Sequence, residues 1–489
     1  MSDWLASANR QSDWSQVQVV VAGIGSSGFS AADTLNHFGA HVIVVDDSVS
    51  EAASNKATLL ETLGVDVRLG AGATTDLPEC DLVIASPGWP PSSPLYRQAH
   101  MSQVPIWGDV ELAWRLQQPD RSVPWLGVTG TNGKTTTVSM VESILRHGGL
   151  TSSAVGNIGR PILETITDGV NYDCLVVELS SFQLHWVTAM SLHSAVVLNV
   201  EPDHLEWYEG ASHESAFQTY AADKAKIYHN VSHSCLYDVT SEVIGKMVED
   251  ADVIEGARAI GFTNEIPAVS MMGVVDGSIV DRAFIPQRHN SALELIAIDD
   301  LPSQSPHMVS NALAAAGLAR SFSVEARSVR DGLKNFELGP HRIQTLATSK
   351  GVTWVDDSKA TNPHAASASL RGYESVVWIA GGQAKGTQFD DLVCEHASRL
   401  KAAILLGVDR DIVAQALRTH APHVHVEVID DTSPAAMIEA VDRARRLATD
   451  RDTVLLAPGC ASLDMYASYS ERGDWFARGV RSLVEGGHL

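Results

Sequence analysis

The sequence predicts an α/β chain of three domains, each organised around a mostly parallel sheet. Three observations lead there. A short apolar strand, a glycine-bearing turn and an amphipathic helix follow one another through most of the chain, an alternation that makes parallel sheets covered by helices. The pattern opens afresh near Pro124 and again near His341. At 489 residues the chain is also too long for one ordinary core, so two to four domains are expected.

The first block, residues 1–121, starts with VQVVVAGIG, an apolar strand from Val17 to Ala22 that ends in glycine. Helix SGFSAADTLNHFG, strand HVIVVDD and strand DLVIASPG follow, and WPPSSP marks a surface loop. The second block, residues 122–339, opens on WLGVTGTNGKTTT, a strand, loop and helix start. It continues through strands in CLVVELSS and AVVLNVEPDH and closes near FELGP. Between Thr240 and Ile298, short β-like pieces alternate with glycines and acids, and no chemistry is assigned there. The third block, residues 340–489, has strands in TWVDDS, SVVWIAGG, AAILLG, VHVEVI and TVLLAPG with helices between them. Ligands of such sheets sit beyond the carboxyl ends of the strands. The loops after GVTG, VVEL, VVLN, WVDD, WIAG and LLAP occupy that position.

Composition narrows the function. With 45% hydrophobic and 19% charged residues, the chain reads as a soluble globular protein. A net charge of -24 would repel a phosphate backbone over most of the surface, so nucleic acid is not an expected partner. A local basic pocket for a phosphorylated small molecule is still allowed. The five cysteines are scattered without a CxxC pair, which suggests neither a disulfide framework nor a zinc ribbon. A reducing compartment follows. The polar start MSDWLASANRQSDWS lacks a signal pattern, and no apolar run approaches the ~20 residues needed to span a bilayer. A cytoplasmic protein without membrane insertion is expected.

Two loops are built for phosphate. In GTNGKTT, covering Gly130, Thr131, Asn132, Gly133, Lys134, Thr135 and Thr136, glycines free backbone N–H groups to face an anion. A helix starting at or just after Lys134 favours negative charge, Lys134 adds a cation, and Thr135 offers a hydroxyl to magnesium. The spacing departs from GxxxxGK[ST], but ATP is the expected nucleotide. GIGSSG matches GxGxxG, with Asp46 or Asp47 near the expected ~20-residue offset. By itself it fits a dinucleotide, another diphosphate such as UDP, or glycines needed only for packing.

Further motifs are co-linear with these loops: GNIG (Gly156–Gly159), VVELSSFQL (Val176–Leu184), NVEPDHL (Asn199–Leu205) and YAADKAKIY (Tyr220–Tyr228). Over essentially its whole length the chain resembles the Mur ligases of peptidoglycan synthesis. In the last third, DDSKATNP (Asp356–Pro363), GGQAKGTQF (Gly381–Phe389) and LAPGCASLDMYASYSERG (Leu456–Gly473) look like the D-glutamate-adding branch. The resemblance implies an N-terminal Rossmann-like domain for a UDP-sugar, a central P-loop ATPase-like domain, and a C-terminal Rossmann-like domain that closes over both. It also implies the reaction: ATP activates the carboxylate of UDP-N-acetylmuramoyl-L-alanine as an acyl phosphate, and the amine of D-glutamate displaces phosphate. A monomer is expected.

Roles carried over by resemblance follow. Gly25, Ser26, Ser27, Gly28, Asp46, Ser86 and Asn157 are expected at the UDP-substrate. The GTNGKTT loop, Asn311, Arg342 and Asp357 are expected at ATP, with Asp357 on the ribose or orienting Lys359. Two magnesium ions would be held by Thr135, Glu178, His204 and a carbamylated Lys224. Taken alone, Lys224 reads as a solvated helix lysine, and Lys226 keeps that reading. Lys134, His204, Lys224 and Lys359 form the catalytic set, Lys359 facing charge that develops in the reaction. D-glutamate would meet Thr361, Lys385, Ser462, the backbone near Leu463, and Tyr469. Two departures stand out: Met308 where relatives often carry asparagine, and Tyr469 where phenylalanine is common. His185 and His193 receive no role.

Overall fold

The computed structural model describes residues 5–118, 122–208 and 212–486. The junction expected between residues 121 and 122 borders on residues outside that set. Two compact units emerge, one of residues 1–200 with 207–336 and the other of residues 201–206 with 337–489. The first unit contains two sheets and the second contains one.

The first sheet is fully parallel in the order β3-β2-β1-β4-β5. Its strands are β1 (Gln18–Ala22), β2 (His41–Asp46), β3 (Asp66–Leu69), β4 (Leu82–Ala85) and β5 (Ile106–Gly108). Helices α1 (Ser26–His37), α2 (Glu51–Thr62), α3 (Pro94–Met101) and α4 (Asp109–Arg115) connect or follow them. Val19 to Ala22 and Leu82 to Ala85 are buried throughout, as strands covered on both faces must be. Chain order reverses between β1 and β4, so the GIGSSG loop and Ser86 share the crevice where doubly wound sheets bind ligands.

The second sheet has nine strands in the order β14-β13-β12-β11-β10-β9-β6-β8-β7. Its first half comprises β6 (Trp125–Thr129), α5 (Lys134–His147), β7 (Ser152–Gly156), α6 (Ile162–Thr167), β8 (Cys174–Glu178), α7 (Ser181–His185), β9 (Ser194–Val197) and α8 (His213–Ala225). Next come β10 (Ser234–Asp238), α9 (Glu242–Glu249), β11 (Arg258–Phe262), β12 (Met271–Val275), β13 (Ser278–Asp281) and β14 (Leu293–Ala297). The alanine-rich α10 (Pro306–Ser321) is buried along most of its length, and α11 (Ala326–Lys334) follows it. The stretch that was illegible in sequence therefore supplies the far edge of this sheet, where β13 runs antiparallel to both neighbours.

In the second unit, β15 (Gln344–Ser349) pairs antiparallel with β16 (Val352–Asp356). The rest of the sheet is parallel in the order β15-β16-β20-β17-β18-β19. Helix α12 (Pro363–Leu370), β17 (Val376–Gly381), α13 (Asp390–His396), β18 (Leu400–Leu406) and α14 (Arg410–His420) come first. They are followed by β19 (His425–Val428), α15 (Ala436–Leu447), β20 (Thr453–Leu456) and α16 (Tyr469–Glu485). Two apolar layers flank this sheet, one around Trp378 and Phe389 and the other around Trp354 and Phe476. The α/β reading holds for all three sheets.

Candidate active site

The strand β6 ends at Thr129, and α5 starts at Lys134, the position the sequence predicts. Gly133, between them, has φ +83, and a Cβ there would lie 2.5 Å from Asn311 Oδ1. Only glycine meets both conditions. Asn311 is thus set beside the loop, although it lies in the second turn of α10 and not in its first. Lys134 Nζ donates to Gly130 O and Thr131 O at 2.8 and 2.9 Å. Thr135 is half-buried and Thr136 buried in the first turn. The loop is also braced from just past β9: Asn132 N donates to Asn199 Oδ1 at 2.8 Å, Asn199 Nδ2 returns a bond to Asn132 O, and Thr131 N donates to Asn199 O. Asn199 lies inside a motif the sequence singled out, yet its bracing role was not foreseen.

Glu178 ends β8 and is 2% exposed. Its Oε1 accepts from Asn157 Nδ2 at 3.0 Å, while its Oε2 is buried without a partner. A buried carboxylate oxygen left unpaired is costly, and a cation would satisfy it. Lys224 is also 2% exposed. Its Nζ donates to Gly130 O at 2.9 Å and sits 4.5 Å from the Tyr220 ring centroid, while the Tyr220 hydroxyl lies 2.7 Å from Thr131 Oγ1. Lys224 therefore lines the phosphate loop and is no solvated lysine. Lys226 departs from its expected freedom too, pairing with Asp223 Oδ1 at 2.8 Å and donating to His185 O at 2.8 Å. His185, given no role from sequence, holds the other Asp223 oxygen at 2.7 Å. Among the described residues, no three His, Cys, Asp or Glu side chains converge as a metal cluster.

At the first sheet, Gly25 and Ser26 are exposed and Ser27 half-buried at the start of α1. Gly28 is buried, and a Cβ there would collide with Gly23 O, so this glycine serves close packing of helix on strand. Asp46 Oδ2 accepts from Ile24 N at 2.8 Å and so fastens the loop itself. Ser86 lies against Gly23, where a Cβ would come within 2.5 Å of its Oγ.

In the second unit, a cavity of about 250 Å³ opens beyond the carboxyl ends of β16, β17 and β20. Thr361, Lys385, Ser462, Leu463 and Tyr469, all singled out from sequence, line it together. Asn362, Gln383, Thr387 and Ser468 add polar groups that sequence reasoning missed. Asp203 and His204 also line it, because their segment groups with this unit. Lys385 Nζ lies 3.4 Å from His204 Nδ1. Lys359 holds its ammonium 4.0 Å from the Tyr469 ring centroid. Arg342 is half-buried, and its charge reaches Asp357 and Tyr469. Met308, the other departure, is buried in α10.

Asp357, expected at ATP, is buried. Its carboxylate is turned inward, accepting from the Ser369 hydroxyl and from Ile343 N at 3.3 Å. Burial raises its pKa to about 6. A raised carboxyl favours the folded state most below its ordinary pKa, and that contribution is lost as pH rises through about 6. Asp357→Asn is therefore expected to be more stable than the parent at about pH 8, by about 2–3 kcal/mol, and close to it near pH 4. Thermal melting at both pH values checks this, and a gap that does not change with pH would contradict it.

Arg472, unnoticed in sequence, is 1% exposed. It donates to Ser358 Oγ at 3.0 Å, Ser358 O at 2.9 Å and Cys460 O at 3.0 Å. Burial lowers its pKa to about 10. Ser358 Oγ in turn donates to Tyr469 O at 2.7 Å, so one guanidinium ties together the loops that shape the cavity.

Three family models match in succession: "Mur ligase MurD-like, N-terminal domain" over residues 17–108, "Mur ligase middle domain" over 128–319, and "Mur ligase, glutamate ligase domain" over 341–460. The chain belongs to the Mur ligase family. A Streptomyces coelicolor protein named UDP-N-acetylmuramoylalanine--D-glutamate ligase is 52% identical over 475 residues, covering 96% of this chain and 99% of that protein. A Thermobifida fusca protein of the same name is 47% identical, with 96% and 98% covered. Among solved structures, the Mur ligase fold recurs in UDP-N-acetylmuramate-alanine ligase MurC from Thermotoga maritima, at TM-score 0.53 and 18% identity over 96% of this chain and 100% of that one. MurF ligase from Thermotoga maritima, solved with ADP, has TM-score 0.54 and 16% identity, with 99% and 100% covered.

Proposed function

We propose that this Mur ligase joins D-glutamate to UDP-N-acetylmuramoyl-L-alanine, consuming ATP, in the assembly of peptidoglycan precursors. The observation that carries this reading is the near full-length identity to relatives bearing the name of that activity. Residues 1–121 would serve the UDP-substrate, 122–339 ATP, and 340–489 the amino acid. The protein would work in the cytoplasm as a monomer.

In the first step an oxygen of the alanyl carboxylate attacks the γ-phosphorus of ATP, forming an acyl phosphate and releasing ADP. The amine of D-glutamate then attacks the carbonyl carbon, phosphate leaves, and the new nitrogen loses a proton. Backbone N–H groups of residues 130–136 would cradle the triphosphate at the start of α5, with Lys134 adding charge. Asn311, Arg342 and Asp357 would complete the nucleotide's surroundings. Gly25, Ser26 and Ser27 would face the UDP diphosphate at the start of α1, with Asp46 and Ser86 supporting their loop and Asn157 at the substrate. Thr135, Glu178 and a carbamylated Lys224 would hold magnesium, with His204 as a further ligand. The unpaired Glu178 Oε2 and the burial of Lys224 support that set. When bound, magnesium neutralises phosphate oxygens so that an anionic carboxylate can approach.

The cavity of the second unit would take D-glutamate. Its two carboxylates call for several donors, which Lys385, Thr361, Ser462 and backbone near Leu463 would supply, with Tyr469 packing over the ligand. Lys359, held on Tyr469, would stabilise charge developing at the carbonyl. Phosphate release with ATP, magnesium and UDP-N-acetylmuramoyl-L-alanine, assayed with D-glutamate, L-glutamate, L-alanine or diaminopimelate, tests the reading. Release is expected only with D-glutamate. Release with a different amino acid would overturn the substrate assignment.

A further inference from the structure

The first turn of α4 presents a buried acid that the reaction itself does not use. Asp109 is 4% exposed and sits at the seam between the first two sheets, both within one compact unit. Its Oδ1 accepts from Val110 N at 2.9 Å, and both carboxylate oxygens lie 3.4 Å from Gln183 Nε2. Helix α4 packs against α1, the helix whose first turn holds Ser27, and the Ser27 hydroxyl opposes by hydrogen bonding the upward pKa shift that burial causes at Asp109. Ser27 belongs to the first turn of α1, in the GIGSSG loop. Gln183 belongs to α7, and its Oε1 accepts from Ser180 N at 3.2 Å, two residues past Glu178. A continuous polar path therefore runs from the diphosphate loop, through Asp109 and Gln183, to the end of β8.

The surroundings make α4 a firm bridge. Glu111, two residues on, is fully buried and accepts from Thr188 N, Thr188 Oγ1 and Ala189 N at 2.7–3.1 Å. Gly108 is in close approach to the neighbouring domain, since a Cβ there would lie 3.3 Å from Trp186 Cβ. Glu111 thus fastens the helix, and Asp109 is left to meet Gln183 of α7.

We propose that Asp109 is a positioning residue that sets the diphosphate loop against the β8 end through Ser27 and Gln183. The proposal rests on the UDP reading of the GIGSSG loop but not on which amino acid is ligated. A carboxylate offers acceptor sites to all these donors at once, and alanine offers none. Without it, Ser27 and the first turn of α1 lose the contact that orients their N–H groups.

The test is calorimetric binding of UDP and, separately, of ATP to the full chain and to Asp109→Ala, Asp109→Asn, Gln183→Ala and the Asp109→Ala/Gln183→Ala double variant. Asp109→Ala is expected to weaken UDP binding about tenfold with ATP affinity unchanged, Asp109→Asn to recover much of the loss, and the double variant to be no weaker than Asp109→Ala. If Asp109→Ala does not fold, Gln183→Ala decides, with a several-fold weaker affinity for UDP expected. Unchanged UDP affinity in a folded variant, or equal loss for UDP and ATP, would overturn the proposal. A parent protein that binds no UDP would overturn it as well. A parent that binds UDP but forms no glutamyl product would remove the ligase reading and leave this result standing.

Discussion

Replacing Lys224 with alanine is expected to lower turnover by at least about a thousandfold. The side chain is almost fully buried, bonded to the Gly130 carbonyl at 2.9 Å, and stacked 4.5 Å from the Tyr220 ring centroid. A lysine that only supported the fold would betray its loss as lowered stability with activity reduced in proportion. A lysine that carries a carbamate behaves otherwise, because a neutral amine plus CO2 yields an anionic oxygen donor that alanine cannot form. Bicarbonate should not restore Lys224→Ala, whereas acetate or propionate should partly restore it by placing a carboxylate in the vacated space. Near-parental turnover in the variant would remove Lys224 from the site. A stable but inactive variant that no short carboxylate rescues would argue against the carbamate.

Arg472→Ala is expected to destabilise the second unit by about 2–4 kcal/mol, read as a lower urea midpoint. The loss combines a cavity with two carbonyls and a hydroxyl deprived of their donor. It is offset in part because the burial that lowers the arginine pKa to about 10 is no longer imposed on a cation. Arg472→Lys should recover little, since a single ammonium cannot reproduce the planar fork that reaches Ser358 and Cys460 together. The released loops frame the cavity, so the KM for the amino acid should rise more than the KM for ATP. Parental stability in Arg472→Ala would contradict the bracing role.

The parts of this architecture legible in sequence are those written locally. A strand, glycines and Lys134 in one short run announce the start of α5, and the residues of the second unit's cavity follow strand ends whose motifs are continuous. The stretch from Thr240 to Ile298 was opaque because strands β11 to β14 follow one another without a helix after α9. A signal was nevertheless present: Asp276-Gly277, with φ +47 and +76, is the two-residue turn joining β12 to β13. Buried polar links were invisible for another reason. Arg472 meets Ser358 across 114 residues, His185 meets Asp223 across 38, and Gln183 meets Asp109 across 74. No local pattern encodes such distances. Lys224 and Lys226 show the same limit, for Gly130 lies 94 residues from Lys224 and His185 lies 41 from Lys226.

In the proposed reaction ATP activates a carboxylate before the amide forms, and isotope transfer reports that order. UDP-N-acetylmuramoyl-L-alanine labelled with ¹⁸O in both carboxylate oxygens would be turned over with ATP and D-glutamate, and the released phosphate and peptide product weighed by mass spectrometry. One labelled oxygen is expected in each phosphate, with the other retained in the new amide. Unlabelled phosphate alongside amide product would contradict the acyl-phosphate account.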